Sequence, residues 1–492
     1  MGSLEMGKTI RRWVLVYLGA VSFIIVPLYM RYGYFALIGA KARAYLYTAV
    51  PALIALVVVE AADLSSKNDK ELIQNNGVKT DKTIRKPRTS FFLLALIGTW
   101  ALCSSYLSIS FNLSLMGTAG WYVGSLMTAV LVICTIYVSK QFQYTTNMVL
   151  LVMAVNVFIH AFATIQSAGL DLFGLLKSID NTQYYTYLST IGQKNSYSGY
   201  VCLTVPLFWG AFITCRDRLM KNLYGIFAVF GFMGIIMAES DSTYAGIGIC
   251  ILFMLVYVFE SEQYVKRSSI LLIMYGCCLL AVRYLPVFDG KTARFKGFSK
   301  AMTESPVAEI LCICGVLLYF FGWKIIRGKR GRIILALLEA ALVIIICSYV
   351  VYTAKHFSDD WGTKRGMIWR VGWEQFLKFP LRKKLTGIGP ELLFTIYGEI
   401  RDINGWNVTS AHCEPLHVLL TQGIIGLGLY VAYWGYLLTL FIKKKLWKNR
   451  TGIFFFPLAA YWGQSLFCSV YPVTAVLFSF VSGMYLKYAE IE

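Results

Sequence analysis

The feature that most constrains this chain is a series of long apolar segments, each bounded by basic or polar residues. A helix crossing about 30 Å of hydrocarbon at about 1.5 Å per residue needs about 20 mostly apolar residues. Fourteen segments meet or approach that length: 13–30, 45–60, 91–110, 121–138, 147–165, 196–213, 223–238, 244–259, 269–285, 307–325, 333–353, 415–442, 451–469 and 472–487. The 492 residues are 57% hydrophobic and only 15% charged. A soluble domain carries about 45–50% apolar and about 25% charged residues, so a soluble enzyme, a disordered protein and a coiled coil are all excluded. The expected fold class is all-α, a polytopic transmembrane helical bundle of about 14 spans.

A net charge of +20 would point to nucleic acid in a soluble protein. In a membrane protein it reflects Lys and Arg concentrated on the cytoplasmic side, near anionic lipid. Placing the N-terminus inside puts 27 of the 46 basic residues in cytoplasmic segments. Nine of the outer 19 sit in one long loop, 354–411, and long segments escape the positive-inside rule. Both termini are therefore expected in the cytoplasm, with the first apolar run retained as a helix. Many of the 12 cysteines lie in apolar runs (Cys103, Cys134, Cys250, Cys347, Cys468) and none forms a CxxC pair. They read as small core residues, not as a disulfide frame or zinc site.

Four regions follow. Residues 1–190 hold N-terminal spans and a basic cytoplasmic loop, 61–90, read as a solvated linker; 191–353 hold central spans; 354–414 form an extracytoplasmic loop; 415–492 hold the C-terminal spans. Chemistry needs room, and the larger outer segments provide it. There is no Walker A loop and no GxGxxG. An enzyme facing outward would need an activated substrate already attached to the membrane.

The long outer loop is the most informative segment. Residues 365–379 read as an amphipathic helix, with Ile368, Val371, Gln375 or Phe376, and Phe379 on one face. Pro380 ends it, Gly387, Gly389 and Pro390 mark a tight turn, and 391–400 reads as a second short helix. Trp361, Trp369, Trp373 and Trp406 suit a membrane interface. Lys364, Arg365 and Arg370 bring positive charge to headgroup level. Arg365 and Trp369, four apart, share a face. A guanidinium there could bind a pyrophosphate through two parallel hydrogen bonds or simply contact headgroups. His412, just before a long span, is either a base for a hydroxyl proton near neutral pH or an exposed loop histidine. His417 reads as packing, and Glu414 as a helix-start cap or an orienting group for His412. His160 and His356 have no partner identifiable from sequence.

The stretch AHCEPLHVLLTQGIIGLGLY, with RGMIWRVGWEQFLKFPLRKKLTGIGP upstream, resembles the C-terminal signature of the O-antigen ligase and O-antigen polymerase family, bacterial membrane glycosyltransferases with a GT-C-like helical fold. Arg365, Trp369, Gly387, Gly389, His412, Gly423, Ile424, Ile425, Gly426 and Leu427 match in order. GQKNSYSGYVCLTVP (192–206) and ESDSTYAGIGI (239–249) are weaker echoes. The chain departs from the pattern at Cys413, where Asn is common, and at Pro415. Lys194 stands where the family's earlier outer loop often offers an arginine.

The resemblance implies a glycan donor on undecaprenyl pyrophosphate, a glycan or lipid acceptor, and a site facing outward from the bacterial cytoplasmic membrane. On this reading His412 and Arg365 are catalytic. Arg370, Lys194, Asn195, Lys364, Glu414 and Trp369 contact substrate. Inversion would follow from one displacement, with no metal or cofactor. Membrane lipids and other polysaccharide-assembly membrane proteins are the expected partners, and nucleic acid is not. The span count favours a polymerase over a ligase acting on a lipid or protein anchor. A lipid-linked glycan transporter is the rival from another class, and it should show midplane charges and repeated halves.

Overall fold

The computed structural model describes residues 3–74, 88–288, 295, 297–398, 400, 402, 405 and 407–490. Residues 75–87 of the expected linker, and Trp406, lie outside the described residues. The main helices are α1 (Met6–Leu28), α2 (Leu37–Gln74), α3 (Thr89–Tyr106), α4 (Ser125–Gln141), α5 (Thr146–Ser167), α6 (Lys194–Thr214), α7 (Arg218–Ala238) and α8 (Asp241–Val258). They continue with α9 (Glu262–Tyr284), α10 (Val307–Ile326), α11 (Gly328–Lys355), α12 (Trp361–Lys378), α13 (Leu381–Thr386), α14 (Glu414–Lys443), α15 (Phe455–Ser465) and α16 (Pro472–Ala489). Among the described residues the only sheet is a two-stranded pairing of Tyr187–Leu188 with Gly192–Gln193.

Among the described residues, ten helices are long and apolar enough to cross a membrane: α1, the Leu37–Ala62 part of α2, α3, α5 to α10, and α14. The other expected spans are also helical. However, α4 has 17 residues and α15 has 11, and at about 1.5 Å per residue α15 covers only about 16 Å. Helix α2 runs to Gln74, into the segment expected to be a linker.

Helix α6 is the axis of the bundle. Nearly all of it is buried, against α7, α8, α15 and α16. Two glycines allow the close approach: a Cβ on Gly199 would lie 2.7 Å from the Thr474 methyl, and one on Gly210 would lie 2.8 Å from Ile453. By contrast α10 packs chiefly on α9 and leaves Ile310, Ile313, Leu317 and Phe320 exposed. Apolar residues pointing outward from a helical bundle are what a lipid environment favours.

A continuous core runs from Leu15 to Ala489. The segment between α11 and α14 has a second, separate one: Ile368, Val371 and Phe376 from α12 pack with Leu392, Tyr397 and Leu420. The predicted apolar face of α12 is therefore correct in position, and it is covered by residues 388–411 together with the head of α14. Of the segment 391–400, Leu393–Thr395 forms a 3₁₀ turn.

The span expected over 415–442 is present as α14, but it breaks at Gly423 (φ 71°, ψ −170°). A broken helix inside a bundle needs outside donors for its freed carbonyls, and the Gly387–Gly389 turn supplies two. Ile388 N–H donates to Leu420 O (3.1 Å), and Gly389 N–H donates to Thr421 O (2.8 Å). From α3, Trp100 Nε1–H donates to Gln422 O (2.9 Å) and Ser104 Oγ lies 3.1 Å from Thr421 O. A Cβ on Gly387 would lie 2.2 Å from the Thr421 backbone, and one on Gly423 would lie 2.2 Å from Leu385 O. These glycines dock the loop onto the head of α14, which carries Glu414 and His417.

Candidate active site at the head of α14

Arg365 opens the regular part of α12, because Gly362, Thr363 and Lys364 all have positive φ (60°, 63° and 71°). The guanidinium is half-buried and makes no hydrogen bond or ion pair with any described residue. Its charge acts on His412, Cys468 and Tyr471. The arginine and histidine singled out from the sequence are thus brought together. Trp369, one turn after Arg365, donates from Nε1 to Ala411 O at 2.9 Å, which ties α12 to the residue before His412. The Trp369 ring also packs on Trp361 (5.1 Å between centroids) and Phe467 (6.4 Å).

His412 sits in the left-handed region at φ 47°, a conformation that costs about 1–3 kcal/mol outside glycine and persists only where neighbours impose it. Its N–H donates to Ser410 Oγ (3.1 Å), Ser410 Oγ is 2.5 Å from Ser469 Oγ, and Ser469 Oγ is 3.3 Å from His412 Nδ1. Burial, then the Arg365 charge, then His417 push its pKa down to about 4. The imidazole is therefore neutral across the physiological range.

Tyr471 connects this pair to the start of α6. Its hydroxyl donates to Gln193 Oε1 (2.7 Å), and its side chain also touches that of Asn195. Lys194 pairs with Glu239 at 2.6 Å, so its charge is already balanced. The two weaker sequence echoes meet here as well: Thr243 Oγ1 lies 2.7 Å from Ser198 Oγ, and Cys468 Sγ lies 3.2 Å from Ser242 Oγ.

Arg370 and Lys364 point elsewhere. Arg370 forks onto Asp359 (2.9 and 2.8 Å) and also reaches Glu374 (3.0 Å), which holds the Asp359 carboxyl below its usual range. Lys364 pairs with Asp360. His160 is buried in α5 with Nδ1 2.7 Å from Tyr197 Oη, and His356 is exposed with Nδ1 2.9 Å from Tyr352 O.

Sequence reasoning missed three groups. Ser469 and Tyr471 lie in a short link between two apolar helices and carry no spacing signal. Glu391 directly follows the expected turn, but nothing in its neighbours marks it as buried. It is 4% exposed, has φ 61° and accepts from Trp121 N–H; burial pushes its pKa up to about 7. Its Oε1 lies 3.9 Å from His417 Nε2.

The fold and the site define an integral membrane protein of helical-bundle type, with an arginine that has no partner among the described residues and a neutral histidine at the junction of the loop 354–414 and a broken helix. Residues 226–431 match the family model described as O-antigen ligase. That match, over somewhat less than half of the chain, supports an O-antigen ligase family assignment and glycan transfer in polysaccharide assembly. It spans Arg365, Glu391, His412, Glu414 and His417, and leaves Lys194, Asn195, Ser469 and Tyr471 outside. A search of curated proteins finds no match to the chain.

Proposed function

We propose that the protein transfers glycan from an undecaprenyl-pyrophosphate-linked donor to a hydroxyl acceptor at the outer face of the bacterial cytoplasmic membrane. In this reading both termini are cytoplasmic, fourteen segments cross or enter the bilayer, and the loop 354–414 is the catalytic unit. Regions 1–190, 191–353 and 415–492 are its scaffold. The observation that carries the proposal is the meeting of Arg365, which has no acid partner among the described residues, with His412, whose imidazole is kept neutral by burial and then by the Arg365 charge.

The chemistry follows from that pairing. Nδ1–H of His412 donates to Ser469 Oγ, which leaves Nε2 to take the acceptor proton as the hydroxyl oxygen attacks the anomeric carbon. Arg365 bears the charge growing on the departing pyrophosphate, a role commonly worth several kcal/mol. Asn195 and Tyr471 flank the same space, while Trp369 positions the His412 loop. An imidazole with a pKa near 4 is a weak base, but bound pyrophosphate would offset the Arg365 charge and raise its basicity when the acceptor is present. A single displacement inverts the sugar and uses no metal. Arg370 and Lys364, held by acids, would recruit the donor headgroup only by exchanging partners.

Purified protein in liposomes with lipid-linked oligosaccharide should convert it to a longer or transferred glycan. His412→Ala should abolish this while the protein remains folded and inserted; full activity of that variant would overturn the base assignment. A product ladder marks a polymerase, as the span count favours, and a single mobility step marks a ligase. Movement of lipid across the bilayer with unchanged glycan would mark a transporter.

A further inference from the structure

A cavity of about 240 Å³ lies between the first turns of α2, the link before α6 and the start of α16. Lys41, Tyr122, Gln193, Ser196 and Tyr471 line it. Tyr471 is shared with the candidate active site: the Arg365 charge acts on it, and its side chain touches Ser469, which in turn contacts His412. The cavity is therefore the compartment next to the Arg365–His412 pair, with one tyrosine between them. No step of the transfer chemistry described above uses it.

Its polar lining is rich in donors and holds no acid. Lys41 is 2% exposed, and its Nζ donates to Val26 O and Pro27 O, each at 2.7 Å. Those carbonyls end α1, so they fix the amine and offset about half a charge. They leave the third N–H over, and among the described residues no acid pairs with Lys41. Asp171, whose charge reaches Tyr34 in the same wall, spends Oδ2 on the Leu176 N–H instead. Ser196 is buried and its hydroxyl makes no hydrogen bond with a described residue. Gln193 gives its oxygen to the Tyr471 hydroxyl, which leaves its amide N–H groups. A buried cation without a counter-charge is costly, and an anionic occupant removes that cost. The remaining wall is aromatic. Tyr34 and Tyr187 pack at 4.9 Å between centroids, and the Tyr122 ring lies where a Cβ on Gly39 would come within 2.7 Å.

We propose that this cavity is a glycan subsite for a sugar that carries a carboxylate, with the acid group on Lys41 and the ring against the tyrosines. Counting charge selects the group. A pyrophosphate carries more than one negative charge and matches the planar fork of Arg365. A lone ammonium is a point charge, and one carboxylate balances it. The two carboxylate oxygens accept from the third Lys41 N–H and from Ser196, while aromatic walls with a few placed polar groups orient the ring. The inference rests on the transfer reaction proposed above and narrows its substrate to a glycan with an acidic sugar beside the reacting one. A neutral sugar in the same place leaves the Lys41 charge unbalanced.

The test is saturation-transfer NMR on the full-length protein in nanodiscs, with methyl glucuronide and methyl glucoside as probes. The glucuronide should bind at least tenfold more tightly, the gain expected for a hydrogen bond between charged groups. This comparison needs no variant, so it holds even if a substitution disturbs folding. Lys41→Gln should remove the preference, and Ser196→Leu, which fills the cavity and leaves Lys41 in place, should weaken binding of both probes. Arg365→Met should retain the preference, and in that variant inorganic pyrophosphate should not displace the glucuronide. Equal binding of the two probes, loss of the preference in Arg365→Met but not in Lys41→Gln, or displacement by pyrophosphate would overturn the proposal. His412→Ala should bind the glucuronide as the parent protein does. Glucuronide binding without any glycan transfer by the parent protein would sink the transfer reading alone, and transfer without the glucuronide preference would sink this subsite alone.

Discussion

Trp369→Phe isolates what holds the His412 loop in place. The substitution keeps an aromatic ring against Trp361 and Phe467 but removes the Nε1–H that donates to Ala411 O at 2.9 Å. Ala411 is fully buried, so its carbonyl loses a partner that water cannot readily replace, at a cost of about 1–3 kcal/mol. The adjacent His412 already holds a strained φ of 47°, and the loop can relax by letting that residue return to an ordinary conformation. If about 1–2 kcal/mol of this reaches the transition state, kcat/KM for glycan transfer falls about 5- to 30-fold. The measurement is transfer from lipid-linked oligosaccharide by protein in nanodiscs, with Trp361→Phe as the control. Trp361 contributes ring contacts to the same cluster, so its variant should stay within about twofold. Equal activity of the two variants would refute the idea that this indole hydrogen bond positions the histidine.

Two further outcomes follow from the geometry. Gly423→Ala forces a Cβ to 2.2 Å from Leu385 O at φ 71°, so the loop undocks from α14, and the midpoint of thermal unfolding in detergent should drop by several degrees, whereas Gly428→Ala, in open space, should leave it unchanged. Burial and the Arg365 charge both keep His412 unprotonated until pH falls to about 4; Arg365→Met removes the second cause only, so the pH midpoint for diethylpyrocarbonate modification of His412 should rise towards, and stay below, the ordinary histidine value of about 6.5, and an unchanged midpoint would separate the two residues.

What the sequence by itself determined was the material of the fold and the chemical poles of the site. Apolar runs of membrane-spanning length require helices, because no other backbone arrangement within one segment satisfies its polar groups in hydrocarbon. The spacing of Ile368, Val371 and Phe376, three and five positions apart on a helix, marked the buried face of α12, and the residue types Arg365 and His412 carry their charge and proton chemistry wherever they stand. Tertiary structure decided everything that depends on meetings between distant segments. Whether Arg365 finds an acid, as Arg370 does in Asp359 and Glu374, cannot be read from a list of charges. The break at Gly423 is possible only because the Gly387–Gly389 turn and α3 bring donors to the freed carbonyls. Ser469 and Tyr471 became part of the site because α16 packs on α6, and Glu391 became a buried acid because the chain turns inward there. Local sequence sets what each group can do, and long-range packing sets which groups do it together.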